Sequence, residues 1–359
     1  MGFFARGGGP DGEQQSGELA RIEGGGIPSR AEERLKALGT GGSLFTSGLS
    51  VKEFALLDRM GPQPLAQVMG ASVVRTGWQY LPALEPTQTI VTSAMGRGYA
   101  VGASGYALNN RYGAPSMGQV RNYKWRWSVV CELQTLSDAW NLARRRALDR
   151  LAEEALHVGA DAVVGVHLQR SDHDLARGTI DYVVSGTAIR IPGSDGTSWP
   201  VLSDVSVQDY WRLHSAGREP AGFLATTSVW FAAPSRATRL RRRRQPTQNL
   251  ELEELSRAFN AARETVRARL QGQVSDARAE GAVGVEFSHQ VERDKFAVAS
   301  AFSETRRGWH RGALGIPYRV TGRSDVERRG WVITMHAAGT AIRHGAGAPM
   351  PPIKTQIHM

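Results

Sequence analysis

Residues 167–174 read HLQRSDHD and bring His167, Asp172, His173 and Asp174 close together in the chain. Imidazole and carboxylate are the donors that borderline and hard divalent metals take, so a divalent metal is one expectation for this protein. A tetrahedral site needs three or four converging ligands, and spacing alone does not supply convergence. The plainer alternative is a polar hairpin turn whose side chains are solvated. The corresponding later stretch offers only Glu286 and His289. His336 stands alone on a strand-like run, where a packed or hydrogen-bonded role is expected.

The second chemistry-bearing run is RATRLRRRR, with Arg236, Arg239, Arg241, Arg242, Arg243 and Arg244. Clustered guanidinium groups attract phosphates, so an anionic partner, nucleic acid or membrane, is a second expectation. The plainer reading is a solvated loop before a helix whose acidic first turn, LELEEL, suits the helix dipole. The glycine-rich GRGYAVGASGYALNNRYG lacks the GKS or GKT ending of a phosphate-binding loop and reads as a loop or hairpin insertion. RNYKWRWSVVCELQ alternates aromatic and basic residues, which could stack on single-stranded nucleic acid. The same period of two is what a half-buried strand shows, and a strand is the expectation. Neither GxSxG nor HExxH occurs, so the protein reads as non-enzymatic, with nothing pointing to a small-molecule substrate.

These segments need a frame to position them. A chain of 359 residues with 41% apolar composition exceeds the usual size of one core, so two domains are expected. The net charge of +10 is carried almost wholly by arginine, which can reflect genome composition as much as binding. Cys131 is the single cysteine, which excludes an intrachain disulfide and a cysteine-rich metal cage. No run approaches the roughly 20 apolar residues of a membrane span, and MGFFARGGGPDGEQQ lacks the apolar core of a secretory signal, so a cytoplasmic location is expected.

The chain repeats itself. GTAIR occurs at 186–190 and again at 339–343. LSVKEFALLDRMGPQPLAQVMGASVV from Leu49 aligns with VSVQDYWRLHSAGREPAGFLATTSVW from Val205 at an offset of 156. ARRRALDRLAEEALHVGADAVVGV from Ala143 aligns with ARETVRARLQGQVSDARAEGAVGV from Ala262 at an offset of 119, with Arg150, Leu151, Gly165 and Val166 recurring as Arg269, Leu270, Gly284 and Val285. Three blocks in one order point to duplication.

Each copy reads as strand, long helix, strand, strand. SVKEFALL has a capping box at Ser50 and Glu53, and Gly61 with Pro62 ends that short helix. In the long helix Trp140, Ala143, Ala147, Leu151, Ala155 and Val158 form one apolar stripe, with Arg144, Arg145, Asp149, Arg150 and Glu153 expected mostly around the other side. TIDYVVSGTAI alternates, with Ile180, Tyr182, Val184 and Ala188 on one face. In GTAIR the Gly and Ala suit packing under the helix, with Thr and Arg on the opposite side.

The run ARRRALDRLAEEALHVGADAVVGVHL followed by VSGTAIR, with PLAQVMGASVV ahead of it, closely resembles the core signature of the YbjQ-like family, small bacterial proteins also labelled UPF0145 or heavy-metal-binding. The matched motifs cover most of one family domain in the first copy. In the second copy GADAVVGV has become EGAVGV, a degraded version. The resemblance implies an α+β fold of two tandem two-layer β-α-β-β domains, similar to dodecin-type subunits, that assemble as a homo-oligomeric ring, often a pentamer. It implies no established activity. The heavy-metal label meets a chain with one thiol and no CxxC, so a thiolate site would have to be shared between chains.

The expected organisation is an N-terminal arm at 1–43, partly disordered but with a short capped helix at SRAEERLKAL, a first domain at 44–192 with an insertion at about 79–136, a second at 201–345 with an insertion at about 291–328, and a tail at 346–359. The expected function is a homo-oligomeric binding or scaffold protein with metal binding implied by resemblance. The alternative is an anion-docking adaptor built on the arginine run.

Overall fold

Two long helices and two sheets take up most of the apolar residues. The computed structural model describes residues 10–24, 26–39, 45–81, 89–92, 98–101, 120–123, 128–171, 178–194, 196–297, 308–311, 317–320 and 327–345. The chain runs α1 (Pro10–Glu23), α2 (Ser29–Gly39), α3 (Val51–Met60), β1 (Gln63–Arg75), β2 (Thr89–Thr92), β3 (Gly98–Val101), β4 (Val120–Tyr123), β5 (Val129–Glu132), α4 (Gln134–His157), β6 (Ala162–Ser171) and β7 (Thr179–Arg190). It continues with β8 (Val201–Leu202), α5 (Val207–Ser215), β9 (Arg218–Ala233), α6 (Arg236–Arg244), α7 (Glu253–Asp276), β10 (Gly281–Ala297), β11 (Gly308–Arg311), β12 (Pro317–Val320) and β13 (Glu327–His344). The class is α+β. No helix among the described residues is long and apolar enough to cross a membrane.

One sheet has the order β1-β7-β6-β8 and the other β10-β13-β9-β5. Pairing is antiparallel except between β6 and β8. The two smaller sheets, β3-β2-β4 and β11-β12, fall in the stretches read as insertions. From the same first stretch, β5 crosses to the other sheet and pairs with β9, while β8 crosses back to β6. Each sheet thus takes an edge strand from the other half of the chain.

The local signals act as their chemistry requires. Ser50 accepts from the Glu53 N–H while Glu53 accepts from the Ser50 N–H, and Gly61 closes α3 at φ 98°. On α4 the stripe from Trp140 to Ala155 is buried, as are Ile180, Tyr182, Val184 and Ala188 on β7. A Cβ at Gly70 would stand 1.9 Å from the Ala147 carbonyl oxygen, so α4 rests on the bare backbone of β1. Arg144 and Arg150 depart from expectation, because both are buried. The helix packs on β1 and β7 along one side and meets β9 along another, which encloses part of the face that its amphipathic pattern leaves to solvent.

The repeated sequence makes repeated contacts. Arg150 donates to the Ala71 carbonyl, and Arg269 donates to the Thr227 carbonyl at 2.9 Å. The Glu154 carboxylate accepts the Met69 N–H at 2.9 Å, and Gln273 bonds both the N–H and the C=O of Ala225 at 3.0 and 2.9 Å. These pairs keep the 119 and 156 offsets, so the recurring arginine is a clamp from helix to strand edge.

GTAIR also corrects an expectation. Gly165 and Gly284, at φ 62° and 64°, lie in bulges of β6 and β10. The bulges press on Gly186 and Gly339, where a Cβ would stand 2.5 Å from Val163 and 3.0 Å from the Val283 carbonyl. The glycine is therefore required by the neighbouring strand rather than by the helix. Thr187 and Thr340 are buried, accepting the N–H of Gly48 and of Asp204, each at 3.1 Å. Arg190 donates to the Gly159 carbonyl at 2.9 Å and closes the end of α4.

Three sheet edges are closed. Along β6, Gly165 and Val166 donate to the Val205 and Ser203 carbonyls at 3.0 and 2.9 Å, and Ser203 donates back to Val163 at 2.9 Å. The outer edge of β9 is filled by β5 and then by side chains. Ser137 accepts from Val229 at 2.9 Å, and Asn141 bonds Thr227 through both its N–H, at 3.0 Å, and its C=O, at 2.9 Å. On β1, Thr46, Glu154 and Arg150 occupy the outer backbone groups. The outer edge of β10, a 17-residue strand, has no partner strand among the described residues.

Candidate functional site

The structure describes one of the four predicted metal residues. His167 is exposed on β6, while Asp172, His173 and Asp174 lie outside the described residues. Glu286 and His289, three positions apart on β10, point to opposite faces, and the His289 ring meets Phe259 edge-on at 5.1 Å. Among the described residues no three His, Cys, Asp or Glu side chains come together to hold a metal. Burial pushes the Cys131 thiol up to about 11, so it stays protonated at neutral pH.

The arginine run is helix α6 rather than the loop expected. Ser235 caps it by accepting the Thr238 N–H at 3.1 Å, and arginine is a good helix former once a cap is present. Arg236, Arg239, Arg241, Arg242, Arg243 and Arg244 are all exposed, and several line an open depression of about 920 Å³. The Arg242 guanidinium sits over the Trp331 ring at 5.8 Å, and burial with Arg239 nearby pushes Arg328 down to about 10.

A cleft of about 700 Å³ opens between the two sheets, with His167, Arg170 and Tyr182 from one wall and Phe223, Thr226 and His336 from the other. At its base Arg144 is 6% exposed. It donates to Thr227 Oγ1 at 2.8 Å and to Asn141 Oδ1, and the Tyr182 hydroxyl faces its guanidinium. No carboxylate among the described residues pairs with it. Thr227 Oγ1 also meets His336 Nδ1 at 2.9 Å. The Thr227 hydroxyl can donate to Nδ1 while accepting from Arg144, and in that tautomer the imidazole carries its hydrogen on Nε2.

Burial first, then Arg170 and Arg144, hold His336 down to about 3, so it is neutral at physiological pH. Its Nε2 is buried and has no hydrogen-bond partner among the described residues. The Trp140 ring meets His336 edge-on at 5.2 Å and Tyr182 at 5.7 Å. Farther along β13, Glu286 lies opposite Ala338 and Thr340 bonds Asp204, which puts carboxylates two to four residues from His336. Sequence reasoning missed Arg144 as a site residue. Its place four after Trp140 and three before Ala147, on the margin of the apolar stripe, is the signal that could have found it.

The segments leading into the two halves, FTSGLSV at 45–51 and VLSDVSV at 201–207, occupy equivalent places in the repeat but differ in surroundings. Val207 is 1% exposed and packs with Ala162, Val164 and Ile189. Its counterpart Val51 is 87% exposed, and Phe45 and Phe54 beside it are exposed too, their rings 6.1 Å apart.

The sequence matches, over residues 117–192, a YbjQ family model described as "Putative heavy-metal-binding". An encapsulin nanocompartment protein of Mycobacterium tuberculosis is 27% identical over 249 residues, 68% of this chain and 78% of that protein. A UPF0145 protein of Clostridium novyi is 38% identical over 60 residues, 17% of this chain and 56% of its own length. A UPF0145 protein of the archaeon Halobacterium salinarum is 37% identical over 87 residues, 24% of this chain and 82% of its own length. That match takes in nearly a whole family member, and the chain belongs to the UPF0145, or YbjQ-like, family.

Proposed function

We propose that the protein is a non-enzymatic cytoplasmic scaffold of two tandem dodecin-like halves whose chains join head to tail into a homo-oligomer. One observation carries the reading. Within the chain, residues 201–205 close the outer edge of β6 and Val207 packs beside it, whereas the equivalent edge of β10 has no partner strand among the described residues and the equivalent residue Val51 is exposed.

Residues 45–51 of a second copy fit that open edge by the same rule. The Gly284 and Val285 N–H groups would donate to the Leu49 and Ser47 carbonyls, as Gly165 and Val166 do to Val205 and Ser203. Val51 would then pack beside Val283 and Ile342, the counterparts of Val164 and Ile189. Such a contact is heterologous, and it closes into a ring, a pentamer in the family's expected form, when the rotation per chain divides a full turn. The relative named as an encapsulin nanocompartment protein is in keeping with a place in a larger protein assembly.

Metal binding belongs to the family description, and no observation among the described residues adds to it. Native mass spectrometry tests the assembly. The wild type is expected as a homo-oligomer at micromolar concentration, and Val51→Asp as a folded monomer with an unchanged circular dichroism spectrum. A monomeric wild type overturns the reading.

A further inference from the structure

We propose that the cleft between the sheets binds a small organic ligand through an oxyanion, a carboxylate or phosphate, held by Arg144 and His336. A buried cation is costly unless it is paired, and the described partners of Arg144 are the neutral groups of Thr227, Asn141 and Tyr182. A buried polar atom is also costly when unmet, and the Nε2 of His336, a residue 9% exposed, has no partner among the described residues. Thr227 joins the two, and with its hydroxyl donating to Nδ1 the imidazole presents its hydrogen at Nε2. One oxyanion between guanidinium and imidazole would satisfy both. Arg170, exposed on the cleft wall, adds positive potential, which the low basicity of His336 already registers.

The rest of the cleft narrows the class of ligand. Its volume of about 700 Å³ is in the range of small-molecule sites and too large for a bare ion. Phe223 and Phe287 give it apolar wall, and Asp204 and Glu286 lie two to four residues along β13 from His336, or roughly 7–13 Å at strand rise. Those carboxylates repel a polyanion and suit an ammonium or hydroxyl at the far end of the ligand. The site belongs to the junction of the halves rather than to the repeat. By the same offsets Arg144 corresponds to Arg263, which is exposed on α7, and His336 corresponds to Val183.

Calorimetric titration with four probes tests the site: inorganic phosphate, acetate, O-phosphoethanolamine and β-alanine. At least one oxyanion probe is expected to bind, more tightly when it carries the ammonium, and the stronger pair tells phosphate from carboxylate. Arg144→Met is expected to weaken binding about tenfold, the worth of one charge-assisted bond. Arg170→Gln, at an exposed position that leaves the fold intact, is expected to weaken it about threefold. The His336 Nε2 resonance should shift on saturation, a readout that holds even if Arg144→Met fails to fold. No binding by any probe at about 10 mM, where a millimolar site is mostly filled, overturns the proposal. So does binding that leaves the His336 resonance unmoved.

Discussion

His336 shows how a single residue's surroundings reverse its ordinary chemistry. Its folded pKa of about 3 lies well below the usual 6.5. Between those values an unfolded chain takes up a proton that the folded chain refuses, so the contribution is full above pH 6.5 and is lost as pH falls toward 3. From pH 7 to pH 5 this amounts to about 2 kcal/mol of lost stability. His336→Phe is expected to flatten that part of the profile in urea denaturation series. Equal slopes in wild type and variant would mean that His336 titrates normally. The sequence already marks His336 as a packed residue. It does not reveal Thr227 or Arg144 beside it, because these partners come from another strand and a helix far away in the chain.

At the scale of elements, close approach is set by missing side chains. Gly70 lets α4 lie on β1, and an added Cβ there meets helix backbone, the Ala147 carbonyl oxygen at 1.9 Å and the Leu151 nitrogen at 2.7 Å. Backbone cannot rotate away, so Gly70→Ala is expected to cost about 3 kcal/mol, the upper part of the overpacking range. Gly222 on β9 has nothing within 4 Å, and its counterpart in the first half is Ala66. Gly222→Ala is therefore expected to change stability by less than about 0.5 kcal/mol. Thermal melts of the two variants check the contrast, and equal losses would contradict it.

The α4 stripe, the capping box and the alternation of β7 were legible because each is a local period. The crossing of β5 to β9 was not, since strand pairing is decided between distant segments. The α6 helix was missed for another reason. Its cap, Ser235, is one ordinary residue ahead of a run whose charge pattern suggests a loop.

For the whole molecule, duplication makes one half a template for the other, and the departures from equivalence carry the information. Val207 and Val51 hold the same place in the repeat, yet one is in a core and the other is in water. The sequence aligns the two valines but cannot tell which of them finds a partner within the chain. If Val51 is buried by a second copy, assembly stabilises the folded chain by mass action, and the melting temperature must rise with protein concentration. A hundredfold increase in concentration is expected to add about 2.7 kcal/mol per contact once assembly is concentration-limited. Val51→Asp should abolish the dependence and keep the melting temperature of the isolated chain. Val207→Asp, which puts a carboxylate among Ala162, Val164 and Ile189, should lower the melting temperature at every concentration. Differential scanning fluorimetry over a dilution series distinguishes the two variants. A wild-type melting temperature independent of concentration, in a range where native mass spectrometry finds monomer, would leave Val51 without the partner proposed for it.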